Sequence, residues 1–222
     1  MNNEKYRLPK RKDGQKTFDH IIETAKKLFS KHGYQSISIN EIIAKAKIAT
    51  GTFYQYFDDK DALYIYILMQ YRQSIRRTTC EHIKDATTRR EKERLGLKAF
   101  LNFAWKDPLA YRIIWESMFV DPNLFRDYYK TFSKDYIKQL EEAVEAGEVR
   151  DDLDLETLSY VLMGISNFVG LQVLFKDTLT QIDLDEIVDN VMVLLDNGMF
   201  RKKSEQLIHK KNWLFHKVGF SF

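Results

Sequence analysis

The chain has 222 residues, of which only nine are Gly and three are Pro, while 44% are hydrophobic and 30% are charged. Because turns and strand ends depend on Gly and Pro, this composition predicts an all-α protein and makes a β-sandwich or barrel hard to build. The hydrophobic fraction excludes general disorder, and the length suits one large or two small domains.

The first predicted segment is a basic arm, residues 1–16. Residues 1–60 carry 12 Lys and Arg against 7 Asp and Glu, whereas the other 162 residues carry 23 against 25. The positive charge is therefore concentrated in the amino-terminal quarter. Such an arm is either solvated or in contact with an anionic partner, and ahead of a small helical domain the partner to test first is nucleic acid.

Two helices are predicted next. From Thr17 onward, apolar side chains recur at the three- and four-residue spacing of one helical face, and Gly33 is placed to end this helix. Ser38 and Glu41 then form the pattern of a capping box, in which the Ser38 hydroxyl binds the Glu41 amide and the Glu41 carboxylate returns to the Ser38 amide. A short second helix is predicted to begin there.

A third short helix is predicted over residues 50–57, after an interruption near Lys47 and Ile48. Two short helices joined by a tight turn are the layout of a helix-turn-helix. Phe53 and Phe57 share one face of the third helix, so we expect them to anchor it on its own domain. The polar side chains of this helix are then expected to face outward.

The rest of the chain is predicted to be helical up to about residue 203. A long helix follows Lys60, and Pro108 and Pro122 fit the first turns of two later helices, because a missing amide costs nothing there. Gly147 is placed to close the second of these. The predicted later helices are 91–106, 107–120, 121–146, 155–175 and 184–200. The tail, 204–222, is mixed basic and aromatic, and no structure is predicted for it.

Catalysis and metal binding are not expected from the sequence. The five His residues share no metal-ligand spacing with Cys or carboxylates, and there is neither a glycine-rich phosphate loop nor a nucleophile elbow. We therefore predict no enzyme, no metal and no cofactor. The lack of a long uncharged apolar run, of an apolar leader and of paired cysteines favours a cytoplasmic protein without a membrane partner.

Residues 21–63 resemble the DNA-binding domain of TetR-family transcriptional regulators. The motifs that carry the resemblance stand in the family's order: Ala25 and Phe29 on the first helix, Gly33-Tyr34 at its end, the capped second helix, Gly51-Thr52-Phe53-Tyr54, Phe57 and Lys60. The resemblance implies an all-α fold with a three-helix helix-turn-helix domain, 17–62, and a helical effector-binding and dimerisation domain, 63–203.

Two positions depart from the family pattern. Lys47 stands at the turn, where the family usually has Gly, and Ala49 stands where it often has Ser. A left-handed turn costs a Lys roughly 1 kcal/mol relative to Gly. We expect Thr50 to supply the missing helix cap.

The third helix and its neighbours give the predicted DNA contacts. Gly51 permits close approach to a phosphate backbone, amides suit base edges, and hydroxyls commonly meet phosphates. The resemblance adds Asn40 and Lys60. The predicted DNA-binding residues are Ser38, Asn40, Thr50, Gly51, Thr52, Tyr54, Gln55, Tyr56 and Lys60. For each outward residue the alternative is an ordinary solvated surface.

A cluster of bulky side chains in the middle of the chain is either plain core or, as the resemblance implies, the lining of an effector pocket with a few polar groups. The predicted pocket residues are Trp105, Tyr111, Trp115, Met118, Phe119, Phe125, Tyr128, Tyr129, Phe132, Met163, Asn167 and Phe168, with Arg112, Glu116 and Gln172 as further polar candidates. The segment 111–129 is similar to regulators of lipid metabolism, which suggests a fatty acyl effector.

The last two predicted helices are too apolar for a purely solvated role. The resemblance implies homodimerisation through them, and two-fold symmetry then predicts a pseudo-palindromic DNA operator. The predicted function is a ligand-responsive repressor of transcription. The alternatives are a DNA-binding structural or partner-recruiting protein without a small ligand, and a helical enzyme that carries the same domain.

Overall fold

The computed structural model describes residues 5–200, and within them the chain forms nine α-helices and two isolated β-bridges. The helices are α1 (Lys12–His32), α2 (Ile39–Ala46), α3 (Thr50–Tyr56), α4 (Lys60–Ile83), α5 (Arg89–Lys106), α6 (Pro108–Val120), α7 (Pro122–Glu145), α8 (Leu155–Leu174) and α9 (Gln181–Gly198). The predicted all-α class is confirmed. The predicted 204–222 tail lies outside the described residues.

Local sequence signals set most of the helix ends. The Ser38–Glu41 capping box is present at the start of α2, and Asp107 caps α6 with Pro108 in the first turn. Gly33 and Gly147 follow α1 and α7 with φ of 81° and 72°, values that disfavour any side chain with a Cβ.

Three helices begin earlier than predicted. Helix α1 starts at Lys12 rather than Thr17, and α5 starts at Arg89 rather than Glu91. Helix α9 starts at Gln181 because Thr180 and Asp183 form a second capping box, in which the Thr180 hydroxyl accepts from the Asp183 amide. The first turn of α1 has no apolar side chain, and that of α9 includes the exposed Ile182, so hydrophobic spacing alone does not mark the true start.

The chain divides into two compact units, of which the first comprises residues 1–76 and 107–126. Its core is built from fully buried apolar side chains of α1 to α4 and of the residue after α3, among them Phe18, Ile42, Phe53, Phe57 and Leu63. Helix α6 also belongs to this unit and packs against α1. The predicted division into 17–62 and 63–203 is one of function and stays a prediction.

The second unit comprises residues 77–106 and 127–222. Within its described part, α5 packs against α8 and α9, and Leu101, Leu140, Val149, Leu184 and Val188 are fully buried. A row of ion pairs also joins α5 to α9: Arg90 with Asp196, Arg94 with Asp189, and Lys98 with Asp185. These pairs are partly solvated, so the apolar cluster contributes most of the stability of the unit.

Candidate nucleic-acid interface and effector region

The helix-turn-helix packs on a cluster of buried aromatic side chains. The Phe18 and Phe57 rings are stacked with centroids 5.1 Å apart, and the Phe53 centroid lies 5.8 Å from that of Phe57. All three rings are fully buried. The predicted anchoring of the third helix by Phe53 and Phe57 is therefore confirmed, and the opposite face of α3 is left at the surface.

That surface carries most of the predicted contact residues of α3. Thr50, Gly51, Tyr54 and Gln55 are exposed, and Thr52 is half-buried. A Cβ added at Gly51 would meet no protein atom within 4 Å among the described residues, so the protein's own packing does not require Gly there. The open space in front of Gly51 is available to a partner.

Tyr56 does not share that surface, and the expectation that it faces outward is wrong. Its side chain is only 5% exposed, its ring meets Phe18 edge to face, and its hydroxyl donates to the carbonyl of Gly14 at 3.3 Å. In a helix of seven residues the buried face is wide enough to include Tyr56 as well as Phe53. Tyr56 is therefore a core residue of the first unit.

The turn between α2 and α3 has the conformation predicted for it. Lys47 lies in the left-handed region with φ 53° and ψ 45°, and it is the one non-Gly residue with positive φ within residues 5–200. The expected cap from Thr50 is wrong: Ala49 is the N-cap of α3, Thr50 is its first helical residue, and within the described residues no side chain caps this end.

Lys60 has its ammonium group inside the first unit. Its Nζ donates to the carbonyls of Tyr34 at 2.9 Å and Ile37 at 2.8 Å, and it lies 4.1 Å from the centre of the Tyr34 ring. Two of its three N–H donors are thus used to hold the loop that precedes α2. Its predicted contact with DNA stays a prediction.

The same loop is tied to α6. Glu116 accepts through Oε1 from the amide of Tyr34 at 2.8 Å, and the Tyr34 hydroxyl donates to Asp61. Burial, together with the Asp61 carboxylate, raises the pKa of Tyr34 well above its ordinary value, so the phenol stays protonated and remains a donor. Glu116, predicted as a polar group of the pocket, therefore bonds the helix-turn-helix with one of its oxygens.

Three basic residues near α3 were not predicted as contacts. Lys45 and Lys47 are exposed at the end of α2, and Arg7 lies beside the carboxyl end of α3, where its Nη1 donates to the carbonyl of Tyr54 at 3.4 Å. The charge of Lys45 and Lys47 is visible in the sequence. The position of Arg7 has no sequence signal, because its partners lie about fifty residues away.

The predicted effector residues fall in both units. In the first unit, Tyr111 is buried and its ring centroid lies 6.3 Å from that of Trp115, whereas Phe119 is 73% exposed. In the second, the buried Tyr128 ring lies 5.2 Å from both Tyr129 and Phe132. The remaining members are half-buried (Phe125, Met163, Asn167) or exposed (Trp105, Met118, Phe168). A pocket lined by these residues stays a prediction.

The second unit also contains a buried polar network. The Arg89 guanidinium pairs with Glu93 one turn along α5, donates to Gln139 at 3.0 Å, and lies 4.9 Å from the centre of the Tyr136 ring. Tyr136 in turn donates to Glu93 at 2.5 Å. Burial, and next the negative charge of Glu93, raise the pKa of Tyr136 well above its ordinary value. Among the described residues no cluster of His, Cys, Asp or Glu could hold a metal ion.

Helices α8 and α9 expose large apolar side chains. The exposed fractions are 49% for Val161, 66% for Phe168, 61% for Val193 and 64% for Leu194. Helix α8 has the length and hydropathy of a membrane span, with a mean hydropathy of 1.4 over 18 residues and 22% of that window buried. A soluble helix that packs against a second subunit has the same composition, so this is weak evidence for a membrane.

Residues 21–67 match the family model described as "Bacterial regulatory proteins, tetR family". The "Fatty acid metabolism regulator protein" of Bacillus subtilis is 26% identical over 188 residues, which cover 82% of this chain and 95% of the relative. The "Uncharacterized HTH-type transcriptional regulator YuxN" of the same organism is 35% identical over 92 residues, but these cover 41% of this chain and only 30% of that relative.

A solved structure has the same fold over most of the chain. The transcriptional regulator FadR from Bacillus subtilis in complex with stearoyl-CoA superposes with a TM-score of 0.70 at 22% identity, covering 82% of this chain and 98% of that one. At this identity the likeness establishes the fold.

Proposed function

We propose that this chain, a TetR-family transcriptional regulator, is a dimeric repressor that leaves its operator when a fatty acyl compound binds. The observation that carries the proposal is the exposed polar face of α3, set on a fully buried aromatic base. Exposed hydroxyls and an amide on such a helix are the groups that meet phosphates and base edges in a major groove.

We propose that Gln55 reads a base edge and that Tyr54 contacts a phosphate. Gln pairs well with adenine, whereas Tyr hydroxyls commonly bind phosphate oxygens. Gly51 supports this arrangement, since a missing side chain over open space lets the DNA backbone approach closely. Lys45 and Lys47, exposed at the end of α2, add positive charge beside the same surface.

The apolar face of α8 and α9 is proposed to bind a second copy of this chain. Val161, Phe168, Val193 and Leu194 are large apolar side chains that are each about half exposed or more, and exposed apolar patches of this kind mark interaction surfaces. Two copies related by a two-fold axis present two α3 helices, so the operator is expected to be pseudo-palindromic. A partner subunit also accounts for the apolar character of α8 without a lipid bilayer.

A fatty acyl effector is supported by two similarities. The relative that matches over 95% of its length is named a fatty acid metabolism regulator, and the FadR structure holds stearoyl-CoA. We propose that the acyl chain contacts the aromatic cluster of the second unit, Tyr128, Tyr129 and Phe132. Release requires that the effector bind the DNA-incompetent state of the dimer more tightly than the competent state.

The test begins with selection of DNA that the purified protein retains from a random duplex library, followed by anisotropy titrations on the enriched sequence. Tyr54→Ala and Gln55→Ala are each expected to weaken binding by roughly 1–3 kcal/mol, with the melting temperature nearly unchanged. The matched control is Gln70→Ala on α4, outside the proposed interface, which should leave the affinity unaltered.

The effector is tested on the same complex. Stearoyl-CoA is expected to dissociate the protein from DNA at micromolar concentration, whereas free coenzyme A and a short-chain acyl-CoA should not. A promoter that carries the selected site should be silenced by the protein in a reporter strain and activated by added fatty acid. DNA binding that ignores every acyl compound would instead favour the structural or partner-recruiting alternative.

A further inference from the structure

The recognition helix α3 has few interactions of its own that fix its position. It is seven residues long, and within the described residues no side chain caps its amino end. Helices of this length are unstable in isolation, and the last carbonyls of any helix have no partner inside it. Contacts from outside α3 must therefore fix its carboxyl-terminal turn.

Residues 5–7 supply those contacts along the backbone. The amide of Arg7 donates to the carbonyl of Tyr56 at 2.7 Å, and the amide of Asp58 donates to the carbonyl of Lys5 at 3.0 Å. Tyr6 and Phe57 form an antiparallel bridge between the two bonds. The segment thus pairs with the chain at the point where it leaves α3.

Side chains strengthen the same attachment. The Arg7 guanidinium pairs with Asp58 at 2.7 Å and also donates to the carbonyl of Tyr54, while Lys5 lies 3.6 Å from the Asp59 carboxylate. The Tyr6 ring meets the Tyr66 ring of α4 edge to face at 4.9 Å. Arg7 therefore holds two carbonyls of α3, one through its backbone and one through its side chain.

The opposite side of the turn is held by the start of α1. Tyr56 donates to the carbonyl of Gly14 and packs on Phe18. A Cβ at Gly14 would lie 3.1 Å from the Tyr56 hydroxyl and 3.3 Å from the Cβ of Pro9, so a side chain there would displace one of them. The last turn of α3 is enclosed between these contacts and residues 5–7.

We propose that residues 5–7 form a strap that fixes the orientation of α3 for its operator, with Arg7 as a positioning residue. The basic side chains of the strap, Arg7 and Lys5, pair with Asp58 and Asp59 and so fix the position of α3. They do not serve primarily as phosphate contacts. This inference rests on the proposed function of α3 and adds a second determinant of operator affinity outside the helix-turn-helix.

The alternative role for Arg7, a direct phosphate contact, predicts a different response to the loss of Asp58. If Arg7 binds phosphate, Asp58→Ala frees its guanidinium and removes a negative charge near DNA, so affinity should rise. If Arg7 positions α3, the same substitution removes the side-chain partner of Arg7 and loosens the strap, so affinity should fall roughly two- to fivefold, the range of a single exposed ion pair. The two roles thus predict opposite changes in the operator affinity of Asp58→Ala.

The experiment measures operator affinity of the full chain as a function of salt for Arg7→Ala, Asp58→Ala and the control Lys10→Ala, with melting temperatures recorded in parallel. The strap predicts that Arg7→Ala and Asp58→Ala both weaken binding while the slope of log affinity against log salt stays unchanged. A lost phosphate contact would instead lower the magnitude of that slope by about one. Lys10→Ala removes an arm charge outside the bonds of the strap and calibrates this electrostatic effect.

Two further variants distinguish the role of the strap from that of α3 itself. The exchange Arg7→Asp with Asp58→Arg restores the ion pair and should recover part of the affinity lost in Arg7→Ala. Gln55→Ala tests the proposed DNA contact of α3. A loss of affinity in Gln55→Ala alone overturns the strap and leaves the recognition helix intact, whereas no loss in any variant overturns the proposed interface of α3. Tighter binding by Asp58→Ala, or a lowered salt slope in Arg7→Ala, also overturns the strap.

Discussion

At the residue scale, Lys47 is the clearest case of a side chain in an unfavourable backbone conformation. Its φ of 53° is in the region where a Cβ approaches the following carbonyl. The exposed ammonium group lies beside the proposed DNA surface. On the proposed function, Lys47 lowers the folding stability and adds positive charge beside the DNA.

Lys47→Gly is therefore expected to raise the free energy of unfolding by roughly 0.5–1 kcal/mol, because relief of the left-handed strain exceeds the added chain entropy. The control Lys45→Gly removes the same charge from the helical part of α2 and should lower the free energy of unfolding by about 1 kcal/mol. Urea denaturation followed by circular dichroism measures both. Destabilisation by both variants would contradict the strain at Lys47.

Tyr56 shows where prediction from single residues fails. Phe53 and Phe57 located the centre of the buried face of α3, and the capping box at Ser38 was readable because its two members are three residues apart. The orientation of Tyr56 depends on Gly14, which is 42 residues away in the chain. A phenol can serve either as a surface hydroxyl or as a buried ring with a bonded hydroxyl, and only the tertiary partner decides between them.

At the element scale, the capping box at the start of α2 is expected to weaken at acid pH. The bond from the Ser38 amide, and next the bond with the Ser38 hydroxyl, lower the pKa of Glu41 below its ordinary value. A carboxylate with a depressed pKa in the folded state stabilises the fold above its unfolded pKa, about 4.3, and this contribution is lost as the pH falls through the folded value.

Glu41→Gln is accordingly expected to be less stable than the natural chain at pH 7, and the difference should shrink as the pH falls below about 4.3. Thermal unfolding across the pH range measures the difference, and nuclear magnetic resonance of the Glu41 carboxyl gives its pKa directly. In Ser38→Ala that pKa should return toward the ordinary value. A pH-independent difference would show that the capping box does not depend on the carboxylate charge.

The helices were largely predictable, and the segments that pair across the sequence were not. Hydrophobic spacing, two prolines and two glycines located the nine helices of residues 5–200 to within a few residues at most ends. The strap of residues 5–7 has an ordinary basic composition, and its backbone partners are Tyr56 and Asp58. Composition predicted an arm near an anion, whereas the anions that this arm binds within the first unit are Asp58 and Asp59.

At the scale of the whole molecule, the apolar face of α8 and α9 predicts the oligomeric state. Leu194→Lys places a charge on a side chain that is 64% exposed in the single chain, so the fold of the protomer should persist. Light scattering should report about twice the 26.4 kDa chain mass for the natural protein and a single chain mass for the variant. Burial of a lysine at a subunit interface costs several kcal/mol.

Met69→Lys on α4 is the matched control, since it also adds a charge at an exposed apolar position but lies outside α8 and α9. It should leave the mass unchanged. A Leu194→Lys variant that remains dimeric would place the subunit contact elsewhere.

The membership of α6 in the first unit limits how this regulator can be recombined with others. Tyr64 donates to the carbonyl of Ile113 at 2.6 Å, and the amide of Tyr34 depends on Glu116, so two buried aromatic residues of the helix-turn-helix unit find their partners some fifty to eighty positions downstream. A chimera made by joining residues 1–76 to the sensor of another regulator would leave these donors unmatched in the interior. A DNA-binding module transferred from this chain to another protein must therefore include residues 107–126 as well as residues 1–76, although the two segments are not continuous in sequence.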